Sequence, residues 1–185
     1  IIKGNTNMLL QLVNDILDMS KIEAGTLEFI YSDTDVNQIM RELEGIFRLR
    51  LEEADSSVRI VFEPCLPVCF IHTEKNRVSQ VLSNFLSNAF KYTQPGKTIT
   101  VFIHENEDTI TVGVQDQGIG ISENKKASLF VRFETLLDKN LFNPNSSGIG
   151  LSLVKELVEM HHASIHVDSK EGEGSCFSVD FLKGK

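Results

Sequence analysis

The chain has 185 residues, with 18 Lys+Arg against 26 Asp+Glu, which gives a formal net charge of −8. Hydrophobic residues form 41% of the sequence, which is enough for a folded core and too many for a disordered chain. No run of about 18 apolar residues occurs, which argues against a membrane-spanning segment. The acidic balance argues against a nucleic-acid-binding protein, because such proteins usually carry a basic patch.

The cysteines are Cys65, Cys69 and Cys176. An odd count without framework spacing favours a reducing compartment. Cys65, Cys69 and His72 suggest a metal site, but a closed zinc site needs four ligands, so we favour cysteines that fill the core.

The first predicted element is a helix over residues 2–24. Ile2, Leu9, Leu12, Ile16 and Met19 recur about every 3.5 residues, and further apolar residues widen this face. A helix with so broad an apolar face needs partner helices. Gly25 suits the left-handed position that ends a helix, so residues 1–26 form one unit.

The second unit, residues 27–185, begins with a predicted strand and a helix that starts after Asp33–Asp35. A Thr73 cap precedes a long helix, and a closing hairpin ends the unit. This mixture predicts an α+β fold, a two-layer sandwich with helices on one face of a mixed sheet. The predicted strands are 27–32, 58–62, 68–71, 97–105, 109–115, 164–169 and 175–182, and the helices are 36–54, 73–92, 123–134 and 149–161.

Two asparagines stand on the long helix. Asn84 and Asn88 are one turn apart, and their amide oxygens could bind a hard cation such as Mg²⁺. Lys91 follows, where it could reach a phosphate. The alternative is that both asparagines simply face solvent.

Two glycine-containing segments follow. Asp116 ends an apolar strand and precedes Gly118 and Gly120, so its carboxylate could accept a hydrogen bond from an amino group such as that of adenine. Residues 146–155 form a loop of small residues that opens into a helix, an arrangement that favours anion binding. This loop lacks the Walker pattern and the dinucleotide fingerprint.

Together these motifs resemble the catalytic, ATP-binding half of a sensor histidine kinase, within the superfamily that includes gyrase-type and MutL-like ATPases. The resemblance covers nearly the whole chain and implies the Bergerat-type ATP-binding fold. Residues 1–26 resemble the second helix of the dimerisation and phosphotransfer hairpin. The matching motifs are the N box at 74–93, the first glycine box at 116–120, the F box at 129–133, the second glycine box at 148–154 and the terminal turn at 172–177.

The resemblance implies ATP and Mg²⁺ as cofactors. Asn84 and Asn88 would hold Mg²⁺, with Asn88 preferred as the direct ligand, and Lys91 would meet a phosphate; Asn88 and Lys91 are the implied catalytic residues. Tyr92 would lie near the ribose or base, and Asp116 would receive the adenine amine. The remaining implied ATP-binding residues are Gly118, Gly120, Ile121, Phe130, Phe133, Ser147, Gly148, Ile149, Gly150 and Leu151.

Residues 122–147 are predicted to form a mobile lid over the nucleotide. Phe130 and Phe133, three residues apart, fit a nucleotide-sensing pair or plain core equally well. Ser146 stands where the family usually has glycine, which leaves lid closure open. His162 and Ala163 also replace family glycines, and histidine tolerates the left-handed conformation better than most residues.

No histidine of this sequence stands in the family's phosphoacceptor context. We therefore expect the acceptor on a preceding helix that is absent from this chain, and no autophosphorylation of the chain alone. The leading hypothesis is a protein-histidine kinase module that transfers the γ-phosphoryl group of ATP for relay to a response-regulator aspartate. The alternatives are an ATP-sensing interaction module without transfer and an ATP-hydrolysing relative.

The expected partners are a second copy of the chain, bound through the N-terminal helix, and a response-regulator receiver domain. We expect no nucleic acid and no membrane contact by this chain. The expected location is cytoplasmic, and the sequence leaves open whether a longer parent protein is anchored in a membrane.

Overall fold

The computed structural model describes residues 2–54, 56–64, 68–132 and 148–184, and in the first helix it describes the side chains of residues 9, 10 and 12 onward. The elements follow each other in the order α1–β1–α2–β2–β3–α3–β4–β5–α4–α5–β6–β7. Their bounds are α1 Ile2–Glu23, β1 Ser32–Asp35, α2 Val36–Glu53, β2 Arg59–Glu63, β3 Phe70–Thr73, α3 Lys75–Tyr92, β4 Thr98–Glu105, β5 Thr109–Asp116, α4 Glu123–Lys126, α5 Gly150–Met160, β6 Ser164–Lys170 and β7 Gly174–Leu182.

The main sheet has five strands in the order β2-β4-β5-β7-β6. β2 and β4 are parallel, and every other neighbouring pair is antiparallel, so the sheet is mixed as predicted. A separate two-stranded sheet pairs β1 with β3, a feature that the sequence did not indicate.

One face of the main sheet carries the core. Its inward residues alternate along β4, β5 and β7 and are at most 5% exposed. The α3 helix packs against this face between α2 and α5, so a two-layer α+β arrangement is observed. These inward residues are Ile99, Val101, Ile103, Ile110, Val112, Val114, Phe177, Val179 and Phe181.

The first helix docks on this domain through one side. Met19 is buried, and Asp18 forms a 2.6 Å ion pair with Arg77 of α3. Glu23, in the last turn, pairs with Arg132. The predicted apolar stripe is therefore divided: Met19 packs on the domain, and a second set of apolar residues is exposed. That exposed set is Leu9, Leu10, Val13, Ile16 and Leu17. In the part of the chain that the structure describes, no helix is long and apolar enough to cross a membrane.

Two local predictions are wrong. Residues 27–31 form no strand, because the chain there runs without a neighbouring strand and pairing begins at Ser32. Thr73 does not cap α3; it ends β3, and the Glu74 carboxylate accepts hydrogen bonds from the N–H groups of Asn76 and Arg77 instead. A carboxylate at this position also complements the positive end of the helix.

Three boundaries also shift. The strand predicted over 68–71 is β3, which begins at Phe70, and the strand predicted over 58–62 is β2, which begins at Arg59. The helix predicted over 123–134 is shorter, because α4 ends at Lys126 and turns follow to residue 132.

Two predictions about chain reversal are confirmed. Gly25 has φ of 64° after α1, and His162 has φ of 54° after α5. His162 thus adopts the left-handed conformation that the family's glycine would have supplied.

The cysteines differ from one another in the structure. Cys69 is buried and disulfide-bonded, which runs against the prediction of a reducing compartment, while Cys176 is a free, half-buried thiol.

Candidate functional site

The long helix α3 supports the candidate site. Six of its apolar residues form one continuous inward face, and each of the six is at most 4% exposed. Asn84, Asn88, Lys91 and Tyr92 are half-buried. The helix therefore carries a polar edge beside its packed face. The inward residues are Val78, Val81, Leu82, Phe85, Leu86 and Ala89.

Asp116, the last residue of β5, is 7% exposed. Its carboxylate accepts a 2.7 Å hydrogen bond from the N–H of Gly118 and a second from the backbone N–H of Ser175. Burial raises the pKa of Asp116 above its ordinary value, and the two backbone hydrogen bonds act in the opposite direction. A buried acceptor that two main-chain donors orient is suited to reading one amino group.

The turn after Asp116 lies against two other parts of the chain. A Cβ placed on Gly118 would lie 2.6 Å from the carbonyl oxygen of Tyr92, at the end of α3. A Cβ on Gly120 would lie 1.9 Å from the carbonyl oxygen of Lys170, and Gly120 has φ of 67°. Both positions exclude a side chain, so the glycines allow this turn to pack closely on α3 and on the closing hairpin.

The start of α5 lies against α3 as well. A Cβ on Gly150, the first residue of α5, would lie 2.5 Å from Asn84 Oδ1. Asn84 Nδ2 donates a 3.0 Å hydrogen bond to the carbonyl oxygen of Gln80, which fixes the orientation of the amide. Gly148 has φ of 66°, and the N-cap residue of α5, Ile149, has an aliphatic side chain that makes no cap hydrogen bond. The positive end of the 11-residue helix therefore opens beside the polar edge of α3.

Lys91 lies on α3 between the contact of Asn84 with Gly150 and the contact of Tyr92 with Gly118. Burial lowers the pKa of Lys91 and raises the pKa of Tyr92. Lys91 Nζ lies 5.1 Å from the centroid of the Tyr92 ring, within the range of a cation–π contact. An anion beside Lys91 would favour its charged form, which burial disfavours.

The donors available for a metal ion are amide oxygens. Among the described residues no group of three or more His, Cys, Asp or Glu side chains could hold a metal. Amide oxygens on α3 fit Mg²⁺ bound together with a nucleotide, because Mg²⁺ usually takes one or two protein ligands and completes its shell with phosphate oxygens and water. Asn84 Nδ2 is engaged with the Gln80 carbonyl oxygen, and Asn84 Oδ1 faces the start of α5.

The other predicted residues divide into two groups. Ile121 and Ile149 are buried, and Phe130 and Leu151 are partly buried and pack against the core. Phe133, Ser146, Ser147 and most of the predicted lid lie outside the described residues, so those predictions stay open.

Two further serines belong to this region and were given no role from the sequence: Ser175 pairs with Asp116, Ser169 pairs with Ser175, and they are 8% and 7% exposed. Both were predicted at the ends of strands 164–169 and 175–182. Strand alternation alone does not show that they share a row with Asp116.

Residues 73–185 match the family model described as histidine kinase-, DNA gyrase B- and HSP90-like ATPase. The chain is 36% identical over 181 residues to hybrid signal transduction histidine kinase B of Dictyostelium discoideum, covering 96% of this chain and 9% of that protein. It is 32% identical over 171 residues to the circadian input-output histidine kinase CikA of Synechococcus elongatus, covering 92% and 23% respectively. The chain thus spans less than a quarter of the length of these relatives.

Two solved structures show the same fold. Full-length ShkA in complex with AMPPNP has a TM-score of 0.81 at 23% identity, covering 96% of this chain and 36% of that one. The catalytic domain of histidine kinase ThkA has a TM-score of 0.72 at 22% identity, covering 84% of this chain and 97% of that one. With the family model matched over most of the second unit, the chain belongs to the histidine kinase-, DNA gyrase B- and HSP90-like ATPase family, and its relatives identify it as a catalytic ATP-binding domain of the sensor histidine kinase type.

Proposed function

We propose that this domain binds Mg-ATP across the polar edge of α3, with the adenine at Asp116 and the phosphates at the start of α5. The observation that carries the proposal is the convergence on α3 of the glycine turn, which lies against Tyr92, and the helix start, which lies against Asn84. One contact offers a buried carboxylate and the other the positive N-terminal end of α5. A nucleotide needs a hydrogen-bond acceptor for the amino group of its base and an anion-binding group for its phosphates.

The residues of the chain have separate roles in this proposal. Asp116 accepts the adenine amine, Lys91 meets a phosphate, and the first-turn N–H groups of α5 hold the phosphate chain. Asn88, with Asn84 beside it, would hold the Mg²⁺ that neutralises charge on the phosphates. Phosphoryl transfer depends mainly on positioning and charge stabilisation, so these groups are sufficient for the chain's share of the work.

We further propose that the γ-phosphoryl group passes to a histidine on a helix outside this sequence and then to a response-regulator aspartate. Transfer is favoured over hydrolysis because no carboxylate on α3 is available to activate water. Glu74, the nearest candidate in the motif, caps α3, and its Oε2 lies 3.8 Å from Arg77 Nε. In hydrolytic enzymes a general base must reach the attacking water.

Dimerisation through α1 is also proposed. The exposed face of α1 carries Leu9, Leu10, Val13, Ile16 and Leu17, which are 45–62% exposed. Full burial of such a side chain is worth about 1.5–3 kcal/mol, so covering this face favours association. A second copy would bury the same residues through isologous contacts. Sedimentation of the wild type and of a variant with Leu9 and Ile16 made polar tests this point; a wild type that stays monomeric at high concentration would contradict it.

Isothermal titration with Mg-ATP tests the binding proposal. We expect saturable binding of ATP and ADP to the wild type and clearly weaker binding to Asp116→Asn. Asp180→Asn, on the opposite face of the sheet, is the control and should bind like the wild type. Equal affinities of the wild type and Asp116→Asn would remove Asp116 from the site.

Labelled ATP separates transfer from mere nucleotide sensing. A longer protein that includes a preceding acceptor helix should gain acid-labile phosphate on that helix, and the present chain alone should gain none. ATP binding without any transfer in the longer protein would favour the sensing module instead. Acid-labile phosphate on His104, His161 or His162 of this chain would contradict the proposal.

A further inference from the structure

On β5, β7 and β6 the inward residues are apolar in every row except the last. That last row is formed by Asp116 on β5, Ser175 on β7 and Ser169 on β6, beside the buried Ile99 of β4. The preceding inward row holds Val114, Phe177 and Val167 in the same strands. Buried polar side chains lower stability unless they are hydrogen-bonded, so a polar row here calls for a reason.

Ser169 is the centre of this row's hydrogen bonds. Its Oγ accepts from the N–H of Ile121 at 2.9 Å, lies 2.9 Å from the Gly174 carbonyl oxygen and lies 2.9 Å from Ser175 Oγ. A carbonyl oxygen can only accept, so the Ser169 proton goes to Gly174. The Ser175 hydroxyl must then donate to Ser169. One hydroxyl group thus makes three hydrogen bonds in a buried site.

These bonds join two segments that are far apart in sequence. Ile121 closes the glycine turn that begins at Asp116, and Gly174 starts β7 after the turn of the closing hairpin. Two further contacts hold the same segments together: the Gly172 N–H donates to the Ile119 carbonyl oxygen at 2.7 Å, and a Cβ on Gly174 would lie 2.0 Å from the Asp116 carbonyl oxygen. The side-chain hydrogen bonds between the two segments come from the Ser169 hydroxyl and from the Asp116 carboxylate, which accepts from the Ser175 N–H.

We infer that Ser169 is a positioning residue for the nucleotide base: its hydroxyl fixes the 116–121 turn on the closing hairpin, and so fixes the Asp116 carboxylate relative to the base. This inference rests on the proposed function. Ser169 itself does not contact the ligand in this account. Its removal leaves the Ile121 N–H without its partner at a buried position, and the turn then relaxes to recover a hydrogen bond. The adenine contact is affected first, and the phosphate contacts at α5 are not.

The test compares adenosine, ADP and GDP binding to the wild type, Ser169→Ala and Ser169→Thr. We expect Ser169→Ala to weaken adenosine and ADP by the same factor, roughly tenfold, and to narrow the preference for ADP over GDP. Ser169→Thr retains the hydroxyl and should restore both the affinity and the preference. A threonine variant as impaired as the alanine variant would overturn the inference.

Val167→Ala is the matched control for stability. Val167 lies on the same strand and face as Ser169 but in the apolar row. Its truncation should lower the unfolding temperature and leave the base preference unchanged. If Ser169→Ala does not fold, Ser169→Cys keeps the size with a weaker hydrogen-bonding group and is judged by the same criterion.

The outcomes separate the two proposals. A wild type that binds neither adenosine nor ADP overturns the proposed function and this inference with it. A wild type that binds both, with unchanged affinity and base preference in Ser169→Ala, overturns the inference alone. Equal loss of base preference in Val167→Ala and Ser169→Ala would also overturn it, because the effect would then follow from stability.

Discussion

The two ends of the candidate site are built from different parts of the chain. At the Asp116 end, backbone groups of Gly118 and Ser175 orient the carboxylate, and close backbone contacts fix the turn. At the α5 end, the half-buried Asn84 of α3 faces the first residue of α5, and Asn88 and Lys91 follow on the same polar edge of α3. The base end therefore depends on the fold itself, and the phosphate end depends on side chains that can be changed with little effect on the fold.

The largest expected effect comes from Gly120→Ala. The added Cβ would lie 1.9 Å from the Lys170 carbonyl oxygen in a residue with φ of 67°. Since backbone must move, we expect a loss of about 4 kcal/mol or more in the free energy of unfolding, measured by urea denaturation.

Gly172→Ala is the matched control for that variant. Gly172 also has a positive φ, of 83°, but a Cβ there meets nothing within 4 Å. The free energy of unfolding of Gly172→Ala should fall by only about 1–2 kcal/mol, which is the cost of the left-handed conformation for a residue with a Cβ. Equal losses in the two variants would show that close approach of the turn to the hairpin does not matter.

Asp116→Asn should weaken adenine-nucleotide binding by about 1–3 kcal/mol, which is roughly 5- to 150-fold. An amide has one acceptor oxygen and cannot reproduce the carboxylate's hydrogen bonds to an amine and to main-chain donors. Titrations with adenosine and with ATP should show the same fold-loss of affinity, because the substitution affects only the contact with the base. A loss confined to ATP would place Asp116 at the phosphates instead.

Asn88→Ala should reduce the Mg²⁺ dependence of ATP binding, by roughly tenfold, and leave adenosine affinity little changed. The fold should tolerate the change, since Asn88 is half-buried on the polar edge of α3. Ser87→Ala, at an exposed position of the same helix, is the control and should bind like the wild type. An adenosine affinity that falls together with the ATP affinity would contradict the division between the two ends.

The smallest expected effect is on stability against pH without nucleotide. The pKa of Asp116 is raised in the folded protein, so the folded state binds this proton more tightly than the unfolded chain. Asp116 therefore stabilises the fold at low pH, and this contribution is lost as the pH rises from about 3.8 through the raised pKa. Relative to the wild type, Asp116→Asn should gain stability over that window. Urea denaturation of both proteins near pH 4 and near pH 8 measures the difference between their free energies of unfolding. A difference that is the same at both pH values would contradict this prediction.

The core and the helices could be predicted from the sequence because their pattern reflects burial directly. The six inward residues of α3 follow from helical periodicity and all are buried, and the hairpin predicted over 97–115 is observed as the antiparallel pair β4–β5. The left-handed conformation of His162 could be predicted because histidine is one of the few residues other than glycine that are enriched in that conformation.

The failures have a common physical cause. Residues 27–31 alternate like a strand, but Phe29 packs on the ring of His161 at 4.5 Å and the Tyr31 hydroxyl donates to the Met160 carbonyl oxygen. Alternation reports which side chains are buried and does not report whether a neighbouring strand exists. Ser169 was missed for the complementary reason: its role depends on a register across β5, β7 and β6 that only the fold defines.

The most direct test of the account is a map of backbone amide chemical shifts during titration, first with adenosine and then with Mg-ATP. We expect adenosine to perturb the amides of Gly118, Ile121 and Ser175, and Mg-ATP to perturb in addition the amides at the start of α5 and the Asn88 side chain. Adenosine that leaves the 116–121 turn unperturbed, or Mg-ATP that acts only on the outward face of the sheet, would contradict it.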